Sequence, residues 1–192
     1  MIIAFDLMDT LISDPYRSAH EQAFGITYEE FEQRRPEGLY HRLERGEMEE
    51  EAYWAALRDA GLSFDTSVFH RARRSGYAWL EGMRELVAEC AAVHRTVIAS
   101  NYPSWIEEIA RDVLDGTGLD IYASYRFGVR KPSERFFHLL CDRTGVEPRD
   151  LVLIDDTRAN TDALAGLGGL GIPFESADAT RQQLRRSGLL TG

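Results

Sequence analysis

Short apolar runs, each closed by polar side chains, alternate with longer stretches of helical periodicity along most of this chain. The first run, Ile2-Ile3-Ala4-Phe5, is too short for a helix and stops at Asp6. A continuous apolar run of that length suits a strand buried on both faces. The β-branched run at 96–100 ends in Ser100-Asn101, and the run at 151–154 ends in Asp155-Asp156. Residues 121–125 and 172–174 read as two further short strands.

Between the first strand and residue 78 the pattern is helical throughout. Thr27-Tyr28-Glu29-Glu30 is a capping box, and the helix it opens should stop near Arg35, because Pro36 follows. A further helix spans about 37–45 and is ended by Gly46. Another spans 47–60, with acidic residues in its first turn and Gly61 after its last. Tyr53, Trp54 and Leu57 form its apolar stripe, and a helix over 66–77 follows. From residue 80 onward, helices at 80–92, 105–114, 133–144, 157–167 and 177–186 alternate with the short runs. That alternation specifies an α/β fold, a Rossmann-like parallel sheet with helices on both faces. The helical block reads as an insertion. The expected division is a core of residues 1–14 and 79–192, with a helical subdomain over 15–78.

The 192 residues suffice for one core and a small subdomain. A formal charge of −10 argues against nucleic acid or an anionic membrane as partner. Such a protein needs a local positive site to handle an anion, most simply a metal ion or a few placed Lys and Arg side chains. The two cysteines, Cys90 and Cys141, lie in helical patterns and read as buried reduced thiols rather than a disulfide. The first residues carry no basic segment, and Asp6 and Asp9 interrupt their apolar run, so a cytoplasmic location is expected. No apolar stretch approaches the roughly 18 residues of a membrane span. The five histidines are scattered without ligand spacing.

Strands that end in Asp6, in Ser100-Asn101 and in Asp155-Asp156 bring those residues to one edge of a parallel sheet, where open α/β folds build their sites. Gly128-Val129-Arg130-Lys131-Pro132 adds a lysine just before a helix. Taken with Asp6-Leu7-Met8-Asp9-Thr10, these are four motifs in order, each on its expected element. In this the chain resembles the haloacid dehalogenase-like hydrolase superfamily nearly end to end, with the helical insertion similar to that superfamily's first cap type. The resemblance implies Asp6 as the nucleophile that forms an aspartyl-phosphate. It implies Ser100 and Lys131 as the clamp on the phosphoryl group, with Asn101 and Tyr16 beside them at the substrate. It implies Mg²⁺ held by Asp6, the backbone carbonyl of Met8 and Asp156. For Asp155 it leaves two roles, binding the metal through water or holding Lys131. Lys131 would also keep Asp6 ionised.

One position departs from the superfamily pattern. Met8 stands where the phosphatases carry a second aspartate, the general acid and base, a function worth roughly 10²–10⁴-fold. Met8 can still offer its backbone carbonyl to a metal. Asp9, one residue on, is a candidate substitute, although that position points elsewhere in relatives. The leading expectation is Mg²⁺-dependent hydrolysis of a small phosphorylated metabolite, an ester or acyl phosphate, by a monomer or homodimer. The alternatives are dehalogenase-like hydrolysis at carbon, which needs no leaving-group proton, and a non-catalytic phosphate- or metabolite-binding relative. Of Arg17, Arg34, Arg35, Arg42, Arg71, Arg73 and Arg74, one or two are expected to turn toward the site.

Overall fold

The computed structural model describes residues 1–191. Its sheet has five parallel strands in the order β3-β2-β1-β4-β5. These are β1 (Ile2–Phe5), β2 (Arg95–Ser100), β3 (Asp120–Ala123), β4 (Leu151–Asp155) and β5 (Leu170–Pro173). β1 lies in the middle, paired with β2 on one side and β4 on the other. Its central place explains why all four of its residues are apolar and buried.

Alternation along the strands sorts side chains onto two faces. Ile3, Phe5, Ile98, Val152 and Ile154 belong to one core. The helices α6 (Met83–Val93), α7 (Ile106–Asp112) and α11 (Ala177–Arg186) cover it with Met83, Leu86, Ile106, Ile109 and Leu184. Ile2, Ala4, Val97, Ala99, Leu151 and Leu153 face the other way. There they meet Phe136, Phe137 and Leu140 of α9 (Glu134–Thr144) and Leu164 of α10 (Arg158–Gly166). Each of these fully buried aromatic or leucine side chains contributes roughly 1.5–3 kcal/mol of transfer free energy.

Between β1 and α6 lie five helices: α1 (Tyr16–Phe24), α2 (Tyr28–Arg34), α3 (Leu39–Glu44), α4 (Glu50–Asp59) and α5 (Thr66–Gly76). They enclose an aromatic cluster of Tyr16, His20, Phe24, Phe31, Trp54 and Phe69. Trp105, from the segment just before α7, stacks on Trp54 at 6.1 Å and ties this layer to the sheet domain. The two crossings between the layers run side by side. Ser13 N–H donates to the Ala78 carbonyl, and Leu80 N–H donates to the Leu11 carbonyl, each at 2.9 Å.

The sequence pattern placed these elements within a few residues. Thr27 caps α2 as the capping box predicts, its hydroxyl accepting from Glu30 N–H. The helix expected over 80–92 starts later, at Met83, because Gly82 enters it with φ of 72°. The strand expected over 121–125 stops at Ala123, where Ser124 begins a helical turn, α8 (Ser124–Phe127). Cys90 and Cys141 are buried and unpaired with each other. No helix among the described residues is long and apolar enough to cross a membrane.

Candidate active site

The carboxyl ends of β1, β2 and β4 converge as their sequence positions imply. Lys131 lies between them, 1% exposed, and all three of its ammonium hydrogens have acceptors. It donates to Asp6 Oδ1 at 2.9 Å, to the Ala99 carbonyl at 2.6 Å and to Asp155 Oδ2 at 2.6 Å. Asp155 is held in turn by Asn160 Nδ2, at 2.9 and 3.0 Å, and by Thr157 N–H at 2.9 Å. Both of its oxygens are therefore engaged within the protein. A buried ammonium needs such a cage, since an unpaired charge in the interior is costly.

Asn101 reaches the same lysine by another route. Its Nδ2 donates to the Lys131 carbonyl at 2.9 Å, and its Oδ1 accepts from Lys131 N–H at 2.8 Å. This two-bond clamp joins the end of β2 to the Lys131-Pro132 segment. Ser100 is buried beside it. Thr10, a motif residue given no role in the sequence, accepts from Asp156 N–H at 3.2 Å and ties the first motif to the fourth. Asp6, Asp155 and Asp156 can present carboxylate oxygens within 4.8 Å of one another. Three carboxylates against one ammonium leave negative charge uncompensated, and the donors are all oxygen, which suits a hard divalent cation.

Electrostatics here differ in one respect from the expectation. Lys131 does pull the Asp6 carboxyl down, but burial outweighs it, and Asp155 adds repulsion. The Asp6 carboxyl is pushed up to about 7 without a metal. The ion pair holds Lys131 above its usual range against its own burial. Asp9 is not one of the three converging carboxylates, although its charge is felt at Asp156. It is exposed, adopts φ of 52°, and its Oδ1 accepts from Asp14 N–H at 3.1 Å.

Adjoining the cluster through Met8 and Asn101, the inserted helices and the sheet domain enclose a cleft of about 350 Å³. Met8, Asn101, Tyr102 and Arg130 line it from the sheet side. Tyr16, Tyr28, Arg35, Tyr40, His41 and Glu44 line it from the insertion. Of the seven arginines left open by the sequence, Arg35 is the one that lines this cleft. Tyr16 lines the cleft and also packs in the helical layer, where its hydroxyl meets that of Tyr53 at 3.2 Å. Tyr28, Tyr40, Tyr102, Arg130 and Glu44 carry no sequence signal. They sit in ordinary helix or loop positions and become neighbours only through the packing of insertion on sheet.

Comparison with known proteins places this geometry. The family model of the haloacid dehalogenase-like hydrolases matches residues 1–168. The chain is 31% identical to the chloroplastic flavin mononucleotide hydrolase 1 of Arabidopsis thaliana over 194 aligned positions, which cover 98% of this chain and 78% of the relative. Among solved structures it superposes with TM-score 0.78 on the magnesium complex of the HAD family enzyme BT-2542 from Bacteroides thetaiotaomicron. That likeness has 16% identity and covers 95% of this chain and 97% of the other. A HAD-like family hydrolase from Porphyromonas gingivalis gives 0.76 with 24% identity, covering 96% and 97%.

Proposed function

From the premise that this chain belongs to the haloacid dehalogenase-like hydrolases, we propose that it hydrolyses a small phosphomonoester through an aspartyl-phosphate on Asp6. The observation that carries the reading is the buried triad in which Lys131 joins Asp6 to Asp155, with Asp156 alongside, next to a cleft whose lining includes Asn101, the residue that clamps the Lys131 backbone. Hydrolysis at carbon makes no demand for a second and third acidic group around the nucleophile to hold a cation. A site that brings Asp155 and Asp156 to Asp6 favours phosphoryl transfer.

Asp6 and Asp156, with the Met8 backbone carbonyl, are the groups that would hold Mg²⁺. When bound, the ion supplies charge neutralisation at the phosphoryl oxygens and keeps the nucleophile ionised. Asp155 takes the other of its two roles: with both oxygens engaged, it fixes Lys131. Lys131 supplies a fixed positive charge beside the attacking oxygen of Asp6. The hydroxyl of Ser100, which bonds to no protein group among the described residues, is free to donate to the phosphoryl group. Asn101 acts through Lys131, whose backbone it clamps. Asp6 attacks phosphorus, the ester oxygen departs, and water then releases phosphate and restores the carboxylate.

The cleft also suggests a substrate class. Tyr16, Tyr28, Tyr40 and Tyr102 offer rings for stacking, and Arg35 a second cation. Together with the relative named for flavin mononucleotide, this favours a phosphate ester carrying a planar aromatic group, flavin mononucleotide itself being the first to try. The test is phosphate release from flavin mononucleotide and p-nitrophenyl phosphate, with Mg²⁺ and after chelation. Activity that needs Mg²⁺ and vanishes in Asp6→Asn is expected. Turnover that persists in Asp6→Asn, or halide release from a 2-haloacid without phosphate release, would overturn the reading.

A further inference from the structure

Met8 leaves the site without the side chain that protonates the leaving oxygen and then activates water. We propose that Glu44, carried on α3 of the insertion, is the general acid and base of this site. The inference rests on the phosphohydrolase reading above and names the proton donor that reading lacks.

Position is the first argument. Glu44 and Met8 line the same cleft, from opposite sides of it. The charge on Asp6 reaches the Glu44 carboxyl and raises it, so the two groups are close enough to act on one bound substrate.

Fixation is the second. Glu44 is 5% exposed, although it is the last residue of a surface helix. Its backbone carbonyl accepts from the buried Ser124 hydroxyl at 2.5 Å, across the boundary between insertion and sheet. Two residues on, Gly46 at φ of 64° lies against the Tyr125 carbonyl, so close that any Cβ would overlap it. The end of α3 is thus seated on the sheet domain, and the Glu44 carboxyl is held over the site rather than swinging in solvent.

The third argument is that the carboxyl is not fully engaged. Arg130 Nε lies 3.0 Å from Glu44 Oε2. The pair lacks hydrogen-bond alignment, so this buried oxygen and the Arg130 Nε both remain without a hydrogen-bond partner. In the same cleft Glu32 accepts from Arg35 at 2.7 Å through Oε2 while its buried Oε1 is likewise unpartnered, and Asp14 accepts from Tyr16 N–H at 2.9 Å. Glu44 differs from both in that, among the described residues, no hydrogen bond reaches either of its carboxylate oxygens. The charged and titratable groups facing Glu44 are Arg130 from the sheet domain, Arg35 and Tyr40 from the insertion, Arg45 next in the chain, and Asp6 from β1. Burial outweighs the two cleft arginines and pushes the carboxyl up to about 7. That is where an acid that must also serve as a base works best at neutral pH.

The steps balance as follows. As the Asp6 carboxylate forms its bond to phosphorus and the phosphorus–ester oxygen bond breaks, the Glu44 carboxyl gives its proton to the departing oxygen, which leaves as an alcohol. The Glu44 carboxylate then takes a proton from water. The water oxygen bonds to phosphorus, the Asp6–phosphorus bond breaks, and inorganic phosphate leaves with Asp6 ionised and Glu44 protonated again.

The experiment compares Glu44→Gln with the native chain, both with Mg²⁺, on an alkyl ester, β-glycerophosphate, and on p-nitrophenyl phosphate, whose leaving group needs little protonation. Gln keeps the backbone bond to Ser124 and the packing volume. A loss in kcat of roughly 10²–10⁴-fold on the alkyl ester, against a few-fold on the nitrophenyl ester, is expected. The decline of native kcat/KM above about pH 7 should disappear in the variant. Adding Met8→Asp to Glu44→Gln should restore alkyl-ester turnover. Glu44→Asp keeps a carboxyl one methylene short and reads the same selectivity should Gln disturb folding. Equal losses on both esters with an unchanged pH profile would show that Glu44 only supports the cleft and would overturn the proposal. So would a selective loss in Glu32→Gln instead. A native chain inactive on every phosphate ester would overturn the phosphohydrolase reading itself, a different outcome from an active native chain with an unselective Glu44 variant.

Discussion

Replacing Glu108 by Leu tests how the insertion is held to the sheet domain. Glu108, on α7, accepts from Arg73 Nη2 at 2.6 Å and from Arg74 at 2.8 and 3.1 Å, both arginines lying on α5. The two arginines differ in burial: the Arg73 side chain is 0% exposed and that of Arg74 is 54% exposed. Arg73 also donates to the Tyr77 hydroxyl at 3.0 Å and packs over the Trp105 ring at 5.0 Å. Tyr77 in turn meets Tyr102, a wall of the cleft, at 2.8 Å. In Glu108→Leu the buried guanidinium loses its only carboxylate among the described residues and cannot shed its proton. Breaking a buried pair from one side costs about 3–5 kcal/mol, and Tyr77 and Trp105 keep this case near the lower bound. At 2–4 °C per kcal/mol for a chain of this size, the melting point should fall by roughly 6–12 °C. Arg74→Ala should cost under about 1 kcal/mol, because its charge returns to water. Adding Arg73→Met to Glu108→Leu should recover most of the loss, since an apolar pair of similar volume is often neutral. Hydrogen bonds from Arg74, then from Arg73, hold the Glu108 carboxyl down at about 2. A depressed carboxyl stabilises above its unfolded value and loses that stability as pH falls from about 4.5 toward 2, so the variant should lack this acid limb. Urea titrations of the single and double variants across pH provide the measurement. If Glu108→Leu melts within about 1 kcal/mol of the native chain, or Arg73→Met does not rescue it, the latch is not what secures the insertion.

Asn101→Ala should lower kcat by about 10–100-fold with KM little changed, as Lys131 loses its backbone clamp and small misplacements at a reacting centre are costly; steady-state kinetics decide it, and a pure KM effect would point to direct substrate contact instead. Arg35→Ala should raise KM several-fold for flavin mononucleotide and much less for p-nitrophenyl phosphate, because Arg35 lines the insertion side of the cleft; equal effects on both would count against a role in selectivity. Burial drives the His20 imidazole down to about 3, with its Nδ1 bonded to the Tyr16 carbonyl at 2.7 Å and its Nε2 unpartnered. A depressed imidazole stabilises above about 6.5 and loses that stability as pH falls toward 3, so His20→Phe should flatten the acid limb of thermal unfolding over that window. A native profile already flat there would refute it.

The sheet and the chemistry at its edge were legible because both are written locally. Ile2–Phe5 and Leu151–Asp155 are apolar on both faces, which only a covered parallel strand tolerates, and each delivers its carboxylate at a fixed place. The same locality marked the all-helical run between β1 and α6, because it has a different period from alternating strands and helices. What failed locally did so for tertiary reasons. The third strand was read two residues too long because nothing in Ile121–Tyr125 announces that the Ser124 hydroxyl will bond to the Glu44 carbonyl 80 positions away. The pull of Lys131 on the Asp6 carboxyl was legible in the sequence, and the depth of burial that opposes it was not.

Sequence alone determined the strand ends and their residues: Asp6, Ser100, Asn101, Asp155 and Asp156 reach one edge because parallel strands must end together. It also exposed the gap at Met8. Tertiary structure decided how those residues divide the work, because hydrogen bonds are selected by packing and not by position in the chain. Packing engaged Asp155 with Lys131 and Asn160, turned Asn101 onto the Lys131 backbone, and bonded Asp9 to the Asp14 N–H. It chose Arg35 from among seven arginines and set Glu44 across the cleft from Met8. A helix seated on a neighbouring domain brings together residues that no spacing in the sequence relates.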